Sequence, residues 1–78
     1  MKLSIITPEK VLFSAEAEMV TAPGTEGDFG VLPGHAPFIS SLKPGTITVD
    51  VAGGQQRTFD VSGGFAEVNP EGVTILAD

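Results

Sequence analysis

Apolar and polar positions alternate through most of the chain, most sharply in its second half. Thr46-Ile47-Thr48-Val49-Asp50-Val51 sets Ile47, Val49 and Val51 on one face, the period-two signature of a half-buried strand. Ala52-Gly53-Gly54-Gln55 predicts a hairpin turn by its glycines. Phe59 and Val61 continue the inward face, with Thr58 and Asp60 outward, until Ser62-Gly63-Gly64 breaks the run. Phe65 to Val68 reads as a further strand. Asn69-Pro70-Glu71-Gly72 reads as a turn, since Asn, Pro and Gly each favour turn geometry, and Val73 to Ala77 as the last strand. This rhythm of short strands and turns is that of a β-meander in a sandwich or barrel.

The first half is less regular. Leu3 to Thr7 predicts a strand stopped by Pro8. Glu9 to Ala22 is the longest stretch free of Gly and Pro, and it satisfies two patterns. Phe13, Ala15, Ala17 and Met19 alternate with Ser14, Glu16 and Glu18, as in a strand; Leu12, Ala15, Met19 and Ala22 also form a helical stripe. The alternation and the absence of helix caps favour the strand. From Pro23 to Pro37, seven of fifteen residues are Gly or Pro. The expectation there is tight turns around one short strand, Asp28 to Leu32, with Phe29, Val31 and Leu32 anchoring it to the core. Phe38 to Leu42 follows as a strand, ended by Lys43-Pro44-Gly45.

Composition narrows the class. The 78 residues allow one domain, 1–78, and they include 10 Gly and 6 Pro spread along the chain, which leaves little room for long helices. Val, Ile and Thr are abundant, as strands prefer. The expected fold is all-β. With no cysteine there is neither a disulfide nor a thiolate metal site. The net charge of −6, with only Lys2, Lys10, Lys43 and Arg57 as scattered cations, argues against nucleic acid as a partner, because phosphate binding needs clustered Lys and Arg. No apolar run approaches the roughly 20 residues that span a bilayer. Met1 to Ile6 is too short and too interrupted for a signal peptide, so the expectation is a soluble cytosolic protein.

Candidate chemistry is sparse. His35 is the sole histidine and has no second His or Cys to share a metal. A general base needs an orienting partner and a substrate pocket; Glu26 and Asp28 are near His35 in sequence, but spacing alone shows no geometry. Glu26 and Asp28 flank Gly27 on an expected loop tip, either as solvated charges or as contacts to a basic partner. Ser62-Gly63-Gly64 is followed by no Lys and matches no phosphate loop. The residues describe an acidic all-β domain without a recognisable active site, and such a domain usually binds something.

Several runs carry a resemblance. These are Thr7-Pro8-Glu9-Lys10 with Phe13-Ser14; the loop Pro23-Gly24-Thr25-Glu26-Gly27-Asp28-Phe29-Gly30-Val31-Leu32-Pro33-Gly34-His35-Ala36-Pro37; Leu42-Lys43-Pro44-Gly45; Val61-Ser62-Gly63-Gly64-Phe65; and Val73 to Asp78. In this order they resemble the N-terminal domain of the epsilon subunit of bacterial F-type ATP synthases. The resemblance implies a two-sheet β-sandwich of short, mostly antiparallel strands, and a strand for the ambiguous Glu9–Ala22 stretch. It implies a non-catalytic rotor subunit of the central stalk that binds the gamma subunit and rests on the polar loops of the c-ring. Such a subunit couples proton translocation to ATP synthesis, needs no cofactor, and does not itself insert in the membrane. It would lie on the cytoplasmic face of the bacterial inner membrane, held there by the complex.

Carried over position by position, Glu26, Gly27 and Asp28 look like the c-ring contact, with Asp28 where the family commonly has a longer Glu. Thr7, His35 and Ser40 look like positions facing gamma. The family's C-terminal helical hairpin, which carries ATPase inhibition, would begin at Asp78. The expectation for these 78 residues is therefore coupling without inhibition of hydrolysis. Two other classes compete. A lipoyl- or biotinyl-type carrier would use Lys43 before Pro44-Gly45, but the Asp or Met that flanks a modified Lys is missing. A small hydrolase or isomerase would use His35 with Asp28 or Glu26.

Overall fold

Nine strands form in the computed structural model, which describes every residue from Met1 to Asp78. They are β1 (Lys2–Ile6), β2 (Val11–Glu16), β3 (Met19–Gly24), β4 (Gly27–Val31), β5 (Phe38–Leu42), β6 (Gly45–Val51), β7 (Gln55–Val61), β8 (Gly64–Asn69) and β9 (Gly72–Ala77). Hydrogen bonds run in the order β2-β1-β9-β8-β5-β3-β6-β7, with β4 on the other side of β3. All pairs are antiparallel except β1 with β9. β5 and β3 meet only at Leu42 and Gly24. There the sheet folds over, so β2-β1-β9-β8-β5 forms one layer and β4-β3-β6-β7 the other. The result is the expected all-β sandwich.

Alternation explains the core. One side chain in two points between the layers, and sixteen residues make a single cluster there, with Leu3, Ile5, Ile47, Val49, Ala66 and Ile75 wholly inaccessible. No polar or charged residue is buried, so the core asks for no internal polar partner. At one edge, β2 lies over β7. The Phe13 and Phe59 rings meet edge to face at 5.9 Å, and the Arg57 guanidinium sits 5.6 Å and 5.4 Å from their centroids. Ile47 has no exposed surface. Ile47→Ala is expected to lower the unfolding free energy by about 3 kcal/mol, because deleting buried methyl groups leaves a cavity. Urea titration followed by circular dichroism measures this.

Three local expectations need correction. Glu9 to Ala22 is strand and not helix, but as two strands. Ala17 and Glu18 carry the chain from one layer to the other, their N–H groups donating to the Met1 and Asp50 carbonyls at 2.8 Å and 2.7 Å. The crossing shifts the alternation by one residue, so Val20 and Ala22 are buried while Met19 is not. Leu32 does not anchor its loop: β4 ends at Val31, and Leu32 is 57% exposed. Pro23 and Gly24, expected in turns, belong to β3. Pro23 sits where β3 leaves β6, last paired through Thr21 and Thr48, and meets β5, so its missing N–H costs no ladder bond. Its carbonyl accepts from Lys43 N at 2.9 Å.

Candidate partner-binding surfaces

The two outer faces differ in chemistry. On the outside of β3, β6 and β7, Thr21 pairs with Thr48 and Thr48 with Thr58. Beside them Thr46 donates to Asp60 at 2.9 Å and Gln56 to Asp50 at 2.8 Å. This face is polar and satisfies itself.

The outside of the other layer carries an apolar row. Register places Val11, Ile6, Leu76 and Phe65 side by side across β2, β1, β9 and β8. Ile39, on β5, lies one outward position along, opposite Glu67. Val11, Leu76, Phe65 and Ile39 are between 55% and 71% exposed. An apolar row crossing four strands is the mark of a protein-docking face and not of a solvated one. Sequence patterning did not single these residues out. The available signal was adjacency: Ile75 and Leu76 are neighbours in one strand, so one of them must point outward.

The residues expected to face partners lie around this layer and on the β3–β4 hairpin of the other layer, beside β5. Glu26, Gly27 and Asp28 form the exposed tip of the β3–β4 hairpin, where Gly27 takes a φ of 128°. Thr25 ties the tip to β5: its N–H donates to the Ser41 carbonyl at 3.0 Å, and the two hydroxyls lie 2.7 Å apart. Ser40 is thus close to the tip. Its register partner is buried Ala66, so it belongs to the inner row, half-buried, with its hydroxyl donating to the Ser41 carbonyl at 2.9 Å. Ile39 is its outward neighbour.

Thr7 lies beyond the end of β1, separated from β5 by β9 and β8. Its hydroxyl holds the β1–β2 turn, accepting from Lys10 N and donating to the Lys10 carbonyl, both at 3.1 Å. His35 lies past the opposite end of the layer, in the β4–β5 crossing, where Gly34 N donates to the Pro70 carbonyl at 3.3 Å. Its ring stands 5.2 Å from Phe38, which stands 5.2 Å from Phe29, and its Nδ1 lies 2.7 Å from the Ala36 carbonyl. Thr7 and His35 therefore mark opposite ends of the layer, with the apolar row at the Thr7 end. No group of three His, Cys, Asp or Glu converges as a metal site would require. His35 makes no side-chain hydrogen bond or ion pair with Glu26 or Asp28.

A small sandwich with an apolar row on one outer face and an acidic hairpin tip has the features of a docking module. The chain belongs to the family of the β-sandwich domain of the ATP synthase delta/epsilon chain, whose pattern it matches over residues 1–78. It is 54% identical over 78 residues to the ATP synthase epsilon chain of Caulobacter vibrioides, covering all of this chain and 90% of that one. It is 55% identical over 74 residues to the epsilon chain of a Bradyrhizobium species (strain BTAi1), covering 95% of this chain and 54% of the relative. The chain thus spans nearly all of one curated relative and about half of the other. Among solved structures it superimposes on a chain of the Euglena gracilis mitochondrial ATP synthase, OSCP/F1/c-ring. The TM-score is 0.90 at 32% identity, over 96% of this chain and 48% of that one. A Tetrahymena thermophila mitochondrial ATP synthase central stalk/c-ring chain, 17% identical with a TM-score of 0.82, shares the fold.

Proposed function

We propose that this chain is a non-catalytic rotor subunit of an F-type ATP synthase, joining the gamma subunit of the central stalk to the c-ring. The observation that carries the reading is the apolar row of Val11, Ile6, Leu76 and Phe65, left uncovered on a domain of this family. Gamma covers that row, with Thr7 beside Ile6, His35 past the opposite end of the strands and Ser40 beside Ile39. Glu26, Gly27 and Asp28 stand against basic or polar loops of the c-ring. The subunit acts as a mechanical link between proton translocation and ATP synthesis. It is membrane-associated through the complex, on the cytoplasmic face of the bacterial plasma membrane.

The physical requirements of such a link match the chain. Torque passes through a part that does not deform, and two layers closed on one apolar core supply it. The hairpin tip is tied to β5 through Thr25 and Ser41, so little conformational freedom is lost when it docks. Exposed carboxylates at the tip steer and orient more than they add affinity.

Calorimetric titration of the chain into the matching gamma subunit tests the reading. Binding is expected to be one-to-one. His35→Ala weakens it about tenfold, since the ring packs on Phe38, an inner-row residue next to outward Ile39, and helps to hold that end of β5 in place. Asp28→Lys leaves gamma affinity unchanged and lowers proton-driven ATP synthesis in reconstituted enzyme. If Asp28→Lys weakened gamma binding as much as His35→Ala, the assignment of the two surfaces would be wrong.

A further inference from the structure

Glu67 interrupts the otherwise uncharged central part of the docking face. Two outward rows cross the layer there. Val11, Ile6, Leu76, Phe65 and Ser41 form one, and Ser14, Ser4, Thr74, Glu67 and Ile39 the other. Glu67 is the only ionisable residue in either row. It lines an open groove of about 380 Å³ with Pro37, Phe38, Ile39, Val68 and Asn69.

No cation of the chain answers it. The one ion pair joins the Met1 ammonium to Glu16 at 3.4 Å. Arg57 is engaged with Phe13 and Phe59 at the far edge, and Lys2 lies two strands away on β1. Lys10 is in the β1–β2 turn, and Lys43 is in the β5–β6 crossing, which bonds back to Pro23. Glu67 also makes no side-chain hydrogen bond within the chain.

In water such a carboxylate needs nothing. Under a protein partner it does, because a carboxylate removed from water without a counter-charge is strongly unfavourable. A partner that seals this face must therefore bring a cation to the groove. The walls add a second requirement. Ile39, 71% exposed, and Pro37 offer apolar surface, which suits a long alkyl stem with its charge at the far end.

We propose that the groove accepts an arginine or lysine side chain of the gamma subunit, with Glu67 as its counter-ion and Ile39 and Pro37 packed on its stem. This rests on the docking reading above and adds the chemistry of one anchor point. It makes Glu67 a determinant of which gamma the chain accepts. A gamma without a cation there leaves the carboxylate unpaired and is rejected.

The test is calorimetric titration of the chain and its Glu67→Gln, Glu67→Lys and Leu76→Glu variants into gamma, at low and high salt. Circular dichroism melts check that each variant folds, which exposed positions allow. Glu67→Gln is expected to weaken binding about 10-fold and Glu67→Lys about 100-fold, because one leaves the partner's cation unpaired and the other repels it. The wild-type affinity falls with salt, and that of Glu67→Gln falls much less. If Leu76→Glu abolishes binding while both Glu67 variants bind like wild type, the groove assignment is wrong and the docking face stands. An unchanged salt dependence in Glu67→Gln also overturns the cationic occupant. If folded wild-type chain does not bind gamma at all, both fall together.

Discussion

Replacing Phe65 and Leu76 with glutamate is expected to abolish gamma binding while leaving the sandwich folded. The two residues are register partners on β8 and β9, and they are 58% and 55% exposed. Neither belongs to the buried cluster, so the double variant Phe65→Glu with Leu76→Glu should melt within a few degrees of wild type. At the centre of a docking face the same change removes the apolar contact and buries two unpaired charges. Truncation of a central anchor typically costs ~2–4 kcal/mol of binding, so a loss of at least ~100-fold is expected for the pair. Analytical ultracentrifugation of the chain with gamma reads this directly. A variant that still co-sediments stoichiometrically at micromolar concentration would show that the row faces solvent in the complex.

The second large effect is on folding. Gly64 opens β8 with a φ of 131°, a conformation that L side chains rarely adopt. A Cβ there would run into the Leu76 carbonyl oxygen and lie 2.9 Å from the Ala77 Cα, both backbone atoms of β9. Neither can move without breaking the β8–β9 ladder, which joins Gly64 to Ala77 and Phe65 to Leu76. Gly64→Ala thus combines backbone strain with a main-chain clash, and a loss of about 4 kcal/mol or more is expected. At ~0.05–0.15 kcal/mol per residue a domain of this size has only ~4–12 kcal/mol in reserve, so the variant should melt far below wild type. Gly53→Ala is the control. Its φ of 87° is also positive, but nothing lies within 4 Å of the new methyl. It should cost only about 1–2 kcal/mol. Equal melting temperatures for the two variants would show that the close approach at Gly64 is unimportant.

What the chain pattern revealed, and what it hid, follows from the range of each interaction. Strand alternation is local, and Ile47, Val49, Val61, Val68 and Ile75 are inward as their spacing implies. The turn at Gly53–Gly54 is local too, and both glycines have positive φ. Layer crossings are not local. Nothing in Ala17-Glu18 marks a crossing, because its N–H partners are Met1 and Asp50, far away in sequence. The parallel pairing of β1 with β9 joins the two ends of the chain and has no local signal either.

The acidic tip was legible as a loop through Gly24 and Gly27. The docking face was not, because period-two reasoning assigns apolar residues inward. The adjacency of Ile75 and Leu76 says that one of the two must point outward, but only pairing sets Leu76 and Phe65 side by side. Ser40 shows the converse. It was singled out by family position, yet register turns it to the inner row and leaves Ile39 outward.

The central claim is that the apolar face meets gamma and the hairpin tip meets the c-ring. The chain has no cysteine, so a single introduced cysteine is its only thiol. The most direct measurement is photo-crosslinking through a short thiol-attached linker in assembled ATP synthase carrying either Ile39→Cys or Glu26→Cys, with the crosslinked subunit identified by mass spectrometry. Ile39→Cys is expected to crosslink to gamma and Glu26→Cys to the c subunit. Crosslinking of Ile39→Cys to the c subunit, or of neither variant to any rotor subunit, would contradict the assignment.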